Sequence, residues 1–420
     1  MSTSTAAIFQ LALGLRDPWQ VSEVTFDPAQ RRLDLRVDFA RGSRFACPAC
    51  GALCPVHDTS DREWRHLDFF QHQAYLHARV PRTSCPEHGA LVVAVPWARS
   101  DSGFTLLFEG LVMAMVPHMA MSRIAEVVNE TDQRLWRVVR FYSAAAVEQR
   151  SLVGVTEVGM DETAIARGQR YVTIVADLDQ GRVIFATEGR DAETVQAFAQ
   201  HLEAHGGDTS AVREAACDMS KAYIAGIGEH LPAARITFDH FHVAKLVGDA
   251  VDQTRRDERL EEPWKRELLA KQRYTVLRNV ATLTDEQSAM AKIITMPRLR
   301  LKTGRAYRMR LAFQDAMALP GDQGVHALEY WCRWAKRSGL PHMAKVAQTI
   351  RDHWDGVCRF FTSGRTTALL ESINGLVQAA RARARGYRNV RNLIAMIHLI
   401  AGKHDISPHG LARLSGVSCH

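Results

Sequence analysis

Between residues 153 and 238 the spacing of apolar side chains changes period several times, and the order of those changes limits the fold more than any other feature of the chain. Residues 153–159, 171–176 and 182–187 read as strands, rich in Val and Ile. Asp-Leu-Asp-Gln-Gly joins the last two, a turn sequence that predicts a hairpin. Residues 192–204 then show helical spacing. A short strand follows at 212–217, a helix at 221–229 and a last strand at 235–238. Three strands, helix, strand, helix, strand is an order that calls for a mixed sheet covered by helices.

The segments on either side follow other rules. Residues 21–39 predict a β-hairpin, with Leu33, Leu35, Val37 and Phe39 alternating with polar residues and Asp27-Pro28 at the turn. Residues 73–80 are again strand-like, so the first 95 residues read as a small β-rich module with little core of its own. From 104 to 150 the period becomes helical. Ser122 is the expected cap of one helix, Asn129 to Asp132 a polar break, and residues 132–142 a second helix carrying Leu135, Trp136, Val139 and Phe141. Helix, polar turn, helix is the outline of a helix-turn-helix. Residues 246–360 read as helices without strands, 366–385 and 389–403 as two more helices, and the residues from Asp405 as a loose tail. At 420 residues the chain is expected to hold several domains. It lacks a run of about 18 apolar residues and a basic, cleavable leader, so the expected location is cytoplasmic, with no membrane partner.

Eight cysteines are few for a disulfide scaffold of this length, and four lie early. Cys47-x-x-Cys50 and Cys85-x-x-His88 are two chelating half-sites. Together they supply the four ligands of a closed tetrahedral Zn²⁺ site, structural because no position is left open. Cys54 is a spare candidate.

Three carboxylates stand at informative places. Asp161 is expected just after the first strand of the mixed sheet, Asp218 after the fourth, and Glu371 in the helix at 366–385. The element order matches a ribonuclease-H-like fold, in which the first and fourth strands are neighbours. Asp161 and Asp218 would then meet at one sheet end, and a helix across the sheet could bring Glu371. Three adjacent carboxylates repel one another. A pair of Mg²⁺ ions (or Mn²⁺) would remove that conflict and make a phosphoryl-transfer site. Taken singly, each acid could be a cap or turn residue.

The net charge of +7 is unevenly spread. Between 291 and 310 lie Lys292, Arg298, Arg300, Lys302, Arg305, Arg308 and Arg310 with no acid. Between 381 and 391 lie Arg381, Arg383, Arg385, Arg388 and Arg391. Runs without local counter-charge suit a phosphate backbone. Trp331, Trp334 and Trp354 fall in the helical stretch, where a buried core role outweighs stacking on a base.

The chain resembles a bacterial insertion-sequence transposase of the DDE type, in the family often called ISL-three. The resemblance runs to about residue 403. It is carried by CPACG, WRHLD, RTSCPEHG, the helix-turn-helix region, GMDETA, CDMSKAY, FDHFHV and, most specifically, LLESINGLVQAARARARGYRN. It implies a multidomain α/β protein: a zinc-binding module at 1–100, a helix-turn-helix at 101–150, a ribonuclease-H-like catalytic domain at 151–245 and 361–403, an all-α insertion at 246–360 and a tail at 404–420. It implies that Asp161, Asp218 and Glu371 bind the catalytic metal. The implied activity is cleavage and transfer of DNA strands at the element's terminal inverted repeats, into target DNA, by a protein that is at least dimeric on DNA.

Two other classes fit some of the same residues. One is a zinc-containing DNA-binding regulator with an inactive catalytic domain, against which the intact set of three acids argues. The other is a metallohydrolase built on TFDHFHVAK, residues 237–245. No second ligand cluster accompanies that stretch. Asp239 and His242 resemble an Asp-x-x-His pattern of transposases with insertions and are expected to stand behind the metal-binding acids, with His240 structural.

Overall fold

Period-two alternation does build the N-terminal sheet. In the computed structural model, which describes residues 5–165, 170–363, 368–405 and 407–415, the chain divides into two units: Met1–Arg150 with Val377–His420, and Ser151–Leu376. This grouping differs from the expected domain list, since the residues from Val377 pack with the N-terminal part.

In the first unit, helix α1 (Thr5–Ala12) precedes β1 (Trp19–Asp27), β2 (Arg32–Phe39), β3 (Arg44–Ala46), β4 (Leu53–Arg65), β5 (Gln73–Cys85) and β6 (Gly89–Val92). The sheet order is β1–β2–β5–β4–β3, with β6 also on β5. Asp27 closes the first hairpin, its carboxylate accepting from Gln30 N at 3.0 Å. Leu33, Leu35 and Val37 of β2 and Leu76, Ala78 and Val80 of β5 all point into one core. That core is larger than the sequence suggests. Trp19, Trp64 and Trp97 meet edge to face, with centroids 5.0 and 5.5 Å apart, and all are buried. The expectation of little core fails because all three tryptophans lie outside the alternating segments at 21–39 and 73–80 that reveal a sheet face. Arg65, of WRHLD, is also buried; its guanidinium is held by the His66 and Ala74 carbonyls and the Asp68 carboxylate.

Helices α2 (Leu106–Met115), α3 (Met121–Val128) and α4 (Asp132–Glu148) follow. Ser122 is not the cap of α3. The helix starts one residue earlier, at Met121, because that side chain is needed in the core, and Ala120 occupies the cap without a side-chain bond. Asn129, in the left-handed region at φ 50°, ends α3 and sets the turn to α4. Buried Glu109 ties the bundle together, accepting from Tyr142 and Ser102 (both 2.7 Å) and pairing with Arg99 at 3.0 Å. The tail is not loose: residues Pro408–Ser415 form a helix, and Leu411 joins the same core, as do Met396 and Leu399 of helix Val390–Ala401.

The second unit holds a five-stranded sheet of β7 (Glu157–Ala164), β8 (Tyr171–Asp177), β9 (Arg182–Glu188), β10 (Glu214–Cys217) and β11 (Arg235–Phe238), in the order β11–β10–β7–β8–β9. β7, β8 and β9 are antiparallel neighbours, whereas β10 runs parallel to β7 and β11 parallel to β10. The first and fourth strands of this unit are therefore adjacent, as expected of a ribonuclease-H-like fold. Helices α5 (Ala192–Ala204) and α6 (Lys221–His230) cover one face, packing Val195, Phe198, Tyr223 and Ile227 with Val158, Met160 and Val175. Helix α7 (His240–Glu258) leads into α8 (Pro263–Leu268), α9 (Arg273–Leu277), α10 (Asp285–Ile294), α11 (Lys302–Met317), α12 (Gly321–Arg337), α13 (Pro341–Asp352) and α14 (Trp354–Ser363), before α15 (Ala368–Arg383). Trp331 is a core residue here, packed 5.1 Å from Phe313 and donating to the Met309 carbonyl at 2.7 Å. No helix among the described residues is long and apolar enough to cross a membrane.

Candidate active site and metal centres

Three parallel neighbours deliver three acids to one sheet edge. Glu214, Ala215 and Ala216 of β10 pair with Glu157, Val158 and Gly159 of β7; continued by two residues, that register sets Asp218 level with Asp161. Cys217 of β10 pairs with Phe238 of β11, so the next residues, Asp218 and Asp239, are level as well. Asp161 does not follow its strand, as the sequence suggests, but sits within it, paired with Ile174. Pairing with β8 carries β7 on to Ala164, while residues 153–156 are turn and coil with Gly154 at φ +82°.

Helix α15 reaches this sheet because β7 carries a glycine. A Cβ at Gly159 would stand 2.8 Å from Leu178 and 2.9 Å from Leu370, closer than real Cβ contacts allow. Asp161 shares that face, since side chains alternate along a strand. The residue of α15 that touches it is Asn374, whose Nδ2 donates to Asp161 Oδ2 at 2.6 Å. Glu371 lies one turn earlier and is exposed.

The electrostatics show how crowded the edge is. Burial raises the Asp161 carboxyl, and the charges of Asp239 and Asp218 push it the same way; the Glu162 N–H, donating at 2.7 Å, and His242 oppose them. Partial desolvation raises Glu371 too, followed by the charges of Asp239 and Asp161. Glu162, on the opposite face of β7, is pushed up to about 7 by burial and then by Asp218. Asp239 caps α7, accepting from Phe241 N at 2.9 Å, and holds His242 Nδ1 at 2.8 Å, which raises the His242 pKa. His240 turns away and stacks on Phe360 at 4.5 Å, where burial lowers its pKa.

Among the described residues Asp161, Asp218, Asp239 and Glu371 share an edge without closing on one another: no three of them bring ligand atoms within 4.8 Å. Two features fit a hard, oxygen-seeking cation such as Mg²⁺ or Mn²⁺. The Asp161 and Glu371 carboxyls are raised, first by burial and then by the charges of neighbouring acids. And Asn374 Oδ1, on the amide that holds Asp161, is buried with no hydrogen-bond partner among the described residues. The sequence reading missed Asn374, although its place three residues after Glu371 puts both on one helix face. It also set Asp239 behind the acids, whereas Asp239 stands at the same strand-end position as Asp218.

The other cluster is closed. Cys47, Cys50, Cys85 and His88 bring their ligand atoms within 4.8 Å of one another. Both half-sites read Cys-Pro-x-ligand-Gly, and both glycines, Gly51 at φ +72° and Gly89 at +70°, take a backbone that L side chains avoid. The first knuckle joins β3 to β4 and the second joins β5 to β6. His88 and the N–H groups of Glu87 and His88 lower the Cys85 thiol to about 6. Three sulfurs and one imidazole nitrogen are the donor set that Zn²⁺ prefers. Cys54 packs on this cluster but donates to the Ala52 carbonyl at 3.3 Å and is outside the four. A second gathering, Asp34, Glu63 and His77, is an ion-pair network instead: Arg32 bonds both carboxylates, and His77 meets Asp34 at 2.6 Å.

The basic residues are spread over both units. Arg298 and Arg300 are exposed, with no ion pair among the described residues. Lys302 pairs with Glu261 at 2.6 Å, and Arg305 donates to the Ser338 carbonyl at 3.2 Å. Arg383, at the end of α15, donates to the Pro117 carbonyl; Arg381 bonds Gln378 at 3.0 Å; Arg385 and Arg388 are exposed.

Comparison with known proteins agrees with these assignments of region. Residues 158–397 match the ISL3 DDE profile, described as a transposase. Residues 43–88 match the zinc-finger of transposases IS204/IS1001/IS1096/IS1165, and residues 93–143 the helix-turn-helix domain of transposase family ISL3. The transposase for insertion sequence element IS1557 of Mycobacterium tuberculosis is 29% identical, over 94% of this chain and 96% of its own length. The transposase for insertion sequence element IS1001 of Bordetella parapertussis is 28% identical, over 82% of this chain and 85% of its own.

Proposed function

This chain belongs to the ISL3 family of transposases, and we propose that it binds the terminal inverted repeats of its own insertion sequence and cuts and transfers their strands with Asp161, Asp218 and Glu371 as metal-binding acids. The observation that carries this reading is the meeting of Asp161 and Asp218 on adjacent parallel strands, with α15 laid across the same edge through Gly159. Mg²⁺ or Mn²⁺ would be held by these carboxylates and, bound there, supplies charge for the attacking and leaving oxygens of a phosphodiester.

The chain's own groups then have definable tasks. The Glu162 N–H and the Asn374 amide orient Asp161, one on each carboxylate oxygen. Asp239 fixes His242 through Nδ1, leaving Nε2 free to address a phosphate oxygen or a carboxylate. In the first reaction water adds to phosphorus, the bond to the 3′ oxygen breaks and a 3′-OH is released. In the second that 3′-OH attacks another phosphodiester and expels its 3′ oxygen, so phosphodiester bonds are conserved.

Double-stranded DNA is the partner. The helix-turn-helix at 101–150 would read the ends, the catalytic residues lie in 151–245 and 361–403, and the all-α insertion at 246–360 presents Arg298, Arg300, Lys302 and Arg305 to phosphates. Arg381, Arg383, Arg385 and Arg388 do the same from the end of α15 and beyond. The protein acts as at least a dimer on DNA. Zn²⁺ held by Cys47, Cys50, Cys85 and His88 is structural. The test is Asp161→Asn with a DNA fragment carrying the element's end and Mg²⁺. Cleavage is expected to fall by at least about 1,000-fold, the order of loss seen when a group that stabilises transition-state charge is removed, while end binding is retained. Cleavage at the normal rate would take Asp161 out of the site.

A further inference from the structure

We propose that Asn374 is a fourth member of the divalent-metal centre: its amide N–H fixes the Asp161 carboxylate, and its Oδ1 is an acceptor for the cation's hydration shell. The inference rests on the reading above that Asp161 holds a divalent cation.

Three observations carry it. Asn374, not Glu371, is the α15 side chain that contacts Asp161, at 2.6 Å across 213 residues of sequence. The contact is not incidental to a mobile surface, because the preceding turn of the helix is seated by Leu370, 1% exposed, in the gap that Gly159 leaves. And the other end of the same amide is a buried oxygen without a partner among the described residues. A buried acceptor is costly to leave unpaired. An apolar residue at position 374 would avoid that cost, so an amide is favoured here if something outside the chain satisfies its oxygen. Beside three acids that something is a cation or its water.

A neutral amide also suits the charge. Burial and the charges of Asp239 and Asp218 already weigh against an ionised Asp161. The Asn374 N–H favours the charged carboxylate without adding another negative group. It therefore acts as a positioning residue through Asp161, and Oδ1 extends the oxygen-rich surface without raising the repulsion.

The full-length protein is titrated with Mn²⁺ in the absence of DNA by calorimetry, and its melting is followed at pH 8 in EDTA and in Mn²⁺. Asn374→Ala is expected to weaken Mn²⁺ binding about 10-fold, the lower end of losses seen when a supporting group is removed from a metal site, with melting in EDTA unchanged. Asn374→Asp places a fifth acid at the edge. It is expected to melt lower than wild type in EDTA and to recover when Mn²⁺ is added. Mn²⁺ affinity within twofold of wild type for Asn374→Ala overturns the proposal. Should that variant fail to fold, Asn374→Asp decides: recovery with Mn²⁺ supports the proposal, and melting indifferent to Mn²⁺ overturns it. Asp161→Asn separates the two levels of inference. If it loses Mn²⁺ binding while Asn374→Ala does not, only the role of Asn374 falls. If it binds Mn²⁺ like wild type, the cation site at Asp161 falls with it.

Discussion

The two candidate metal centres are built in opposite ways. The zinc-type cluster draws its ligands from two hairpin turns, each a five-residue knuckle, and they converge within 4.8 Å in the folded chain alone. The acidic edge draws Asp161 from within a strand, Asp218 and Asp239 from the ends of two others, and Glu371 from a helix more than 200 residues along the chain. They approach without converging, and burial and mutual charge hold carboxyls there above their usual range. A structural site can be completed by local geometry, because its ligands have nothing else to do. On the proposed reading, the acidic edge would be completed by a cation and a substrate rather than by the chain's own ligands.

The largest test of that contrast is removal of zinc. Structural zinc contributes on the order of 10 kcal/mol in small zinc modules, but here the cluster of Trp19, Trp64 and Trp97 supports the sheet independently. Chelation, or Cys85→Ser, is therefore expected to speed amide exchange at 47–51 and 85–89 by orders of magnitude while β2 and β5 stay protected. Equal loss of protection across the sheet would mean that the knuckles, not the tryptophans, hold it.

Next comes the response to acid in the first unit. His66 is held at about 4 by burial and by the adjacent Arg65 charge, with Thr105 Oγ1 at 2.8 Å from its Nδ1. A histidine lowered in the folded state favours folding above its unfolded value near 6.5, and that contribution is lost as pH falls toward 4. The loss should amount to about 2–3 kcal/mol. Denaturant melts at pH 7 and pH 4 should show it as a difference between wild type and His66→Asn, which cancels the contribution of zinc ligands common to both. A difference under about 0.5 kcal/mol would remove His66 as a source of acid sensitivity.

Gly159→Ala sharpens the contrast from the other side. The added methyl meets the Leu370 and Leu178 side chains, which must shift and disturb the seating of α15, at a cost of about 1–3 kcal/mol for overpacking. Strand cleavage should fall along with stability, whereas zinc content stays at one per chain by metal analysis. Unchanged cleavage would mean that the seating of α15 does not set the site.

The smallest effect is the most diagnostic of charge. Asp161 and Glu371 are raised, so their folded-state contribution is present at low pH and lost as pH rises through the raised values. Mg²⁺ should restore it. The melting temperature is expected to rise with Mg²⁺ by a few degrees at pH 8, about 1 kcal/mol, and not at pH 4. An equal rise at both pH values would place the bound Mg²⁺ elsewhere.

Local pattern was legible wherever one period governed a segment. The alternation of Leu33, Leu35 and Val37 and the placement of strands around 171–176, 182–187 and 235–238 follow from which side chains must face a core. The half-sites at Cys47 and Cys85 were readable because a chelating knuckle is a five-residue event. Adjacency of the first and fourth strands was expected because the element order matches a ribonuclease-H-like fold, in which those strands are neighbours. The limits of β7 were misplaced because apolar residues at 153–155 look like a strand until the pairing with β8 is known. The helix at Pro408–Ser415 was missed because a short segment shows little period of its own; its anchors Leu411 and Leu414 matter only for the surface they meet.

By itself, then, the sequence determined the kinds of element, most of their order and the gathering of Cys47, Cys50, Cys85 and His88, all of which depend on residues near one another in the chain. Only the tertiary structure decided that Asn374 bonds Asp161, that Asp239 stands level with Asp218, and that Arg65 and Trp97 are interior. Arg65 and Trp97 are interior through the packing of the first unit itself; the other two outcomes depend on the direction in which α15 crosses the sheet and on the register of β10 and β11. Packing across hundreds of residues sets both, and no local period records it.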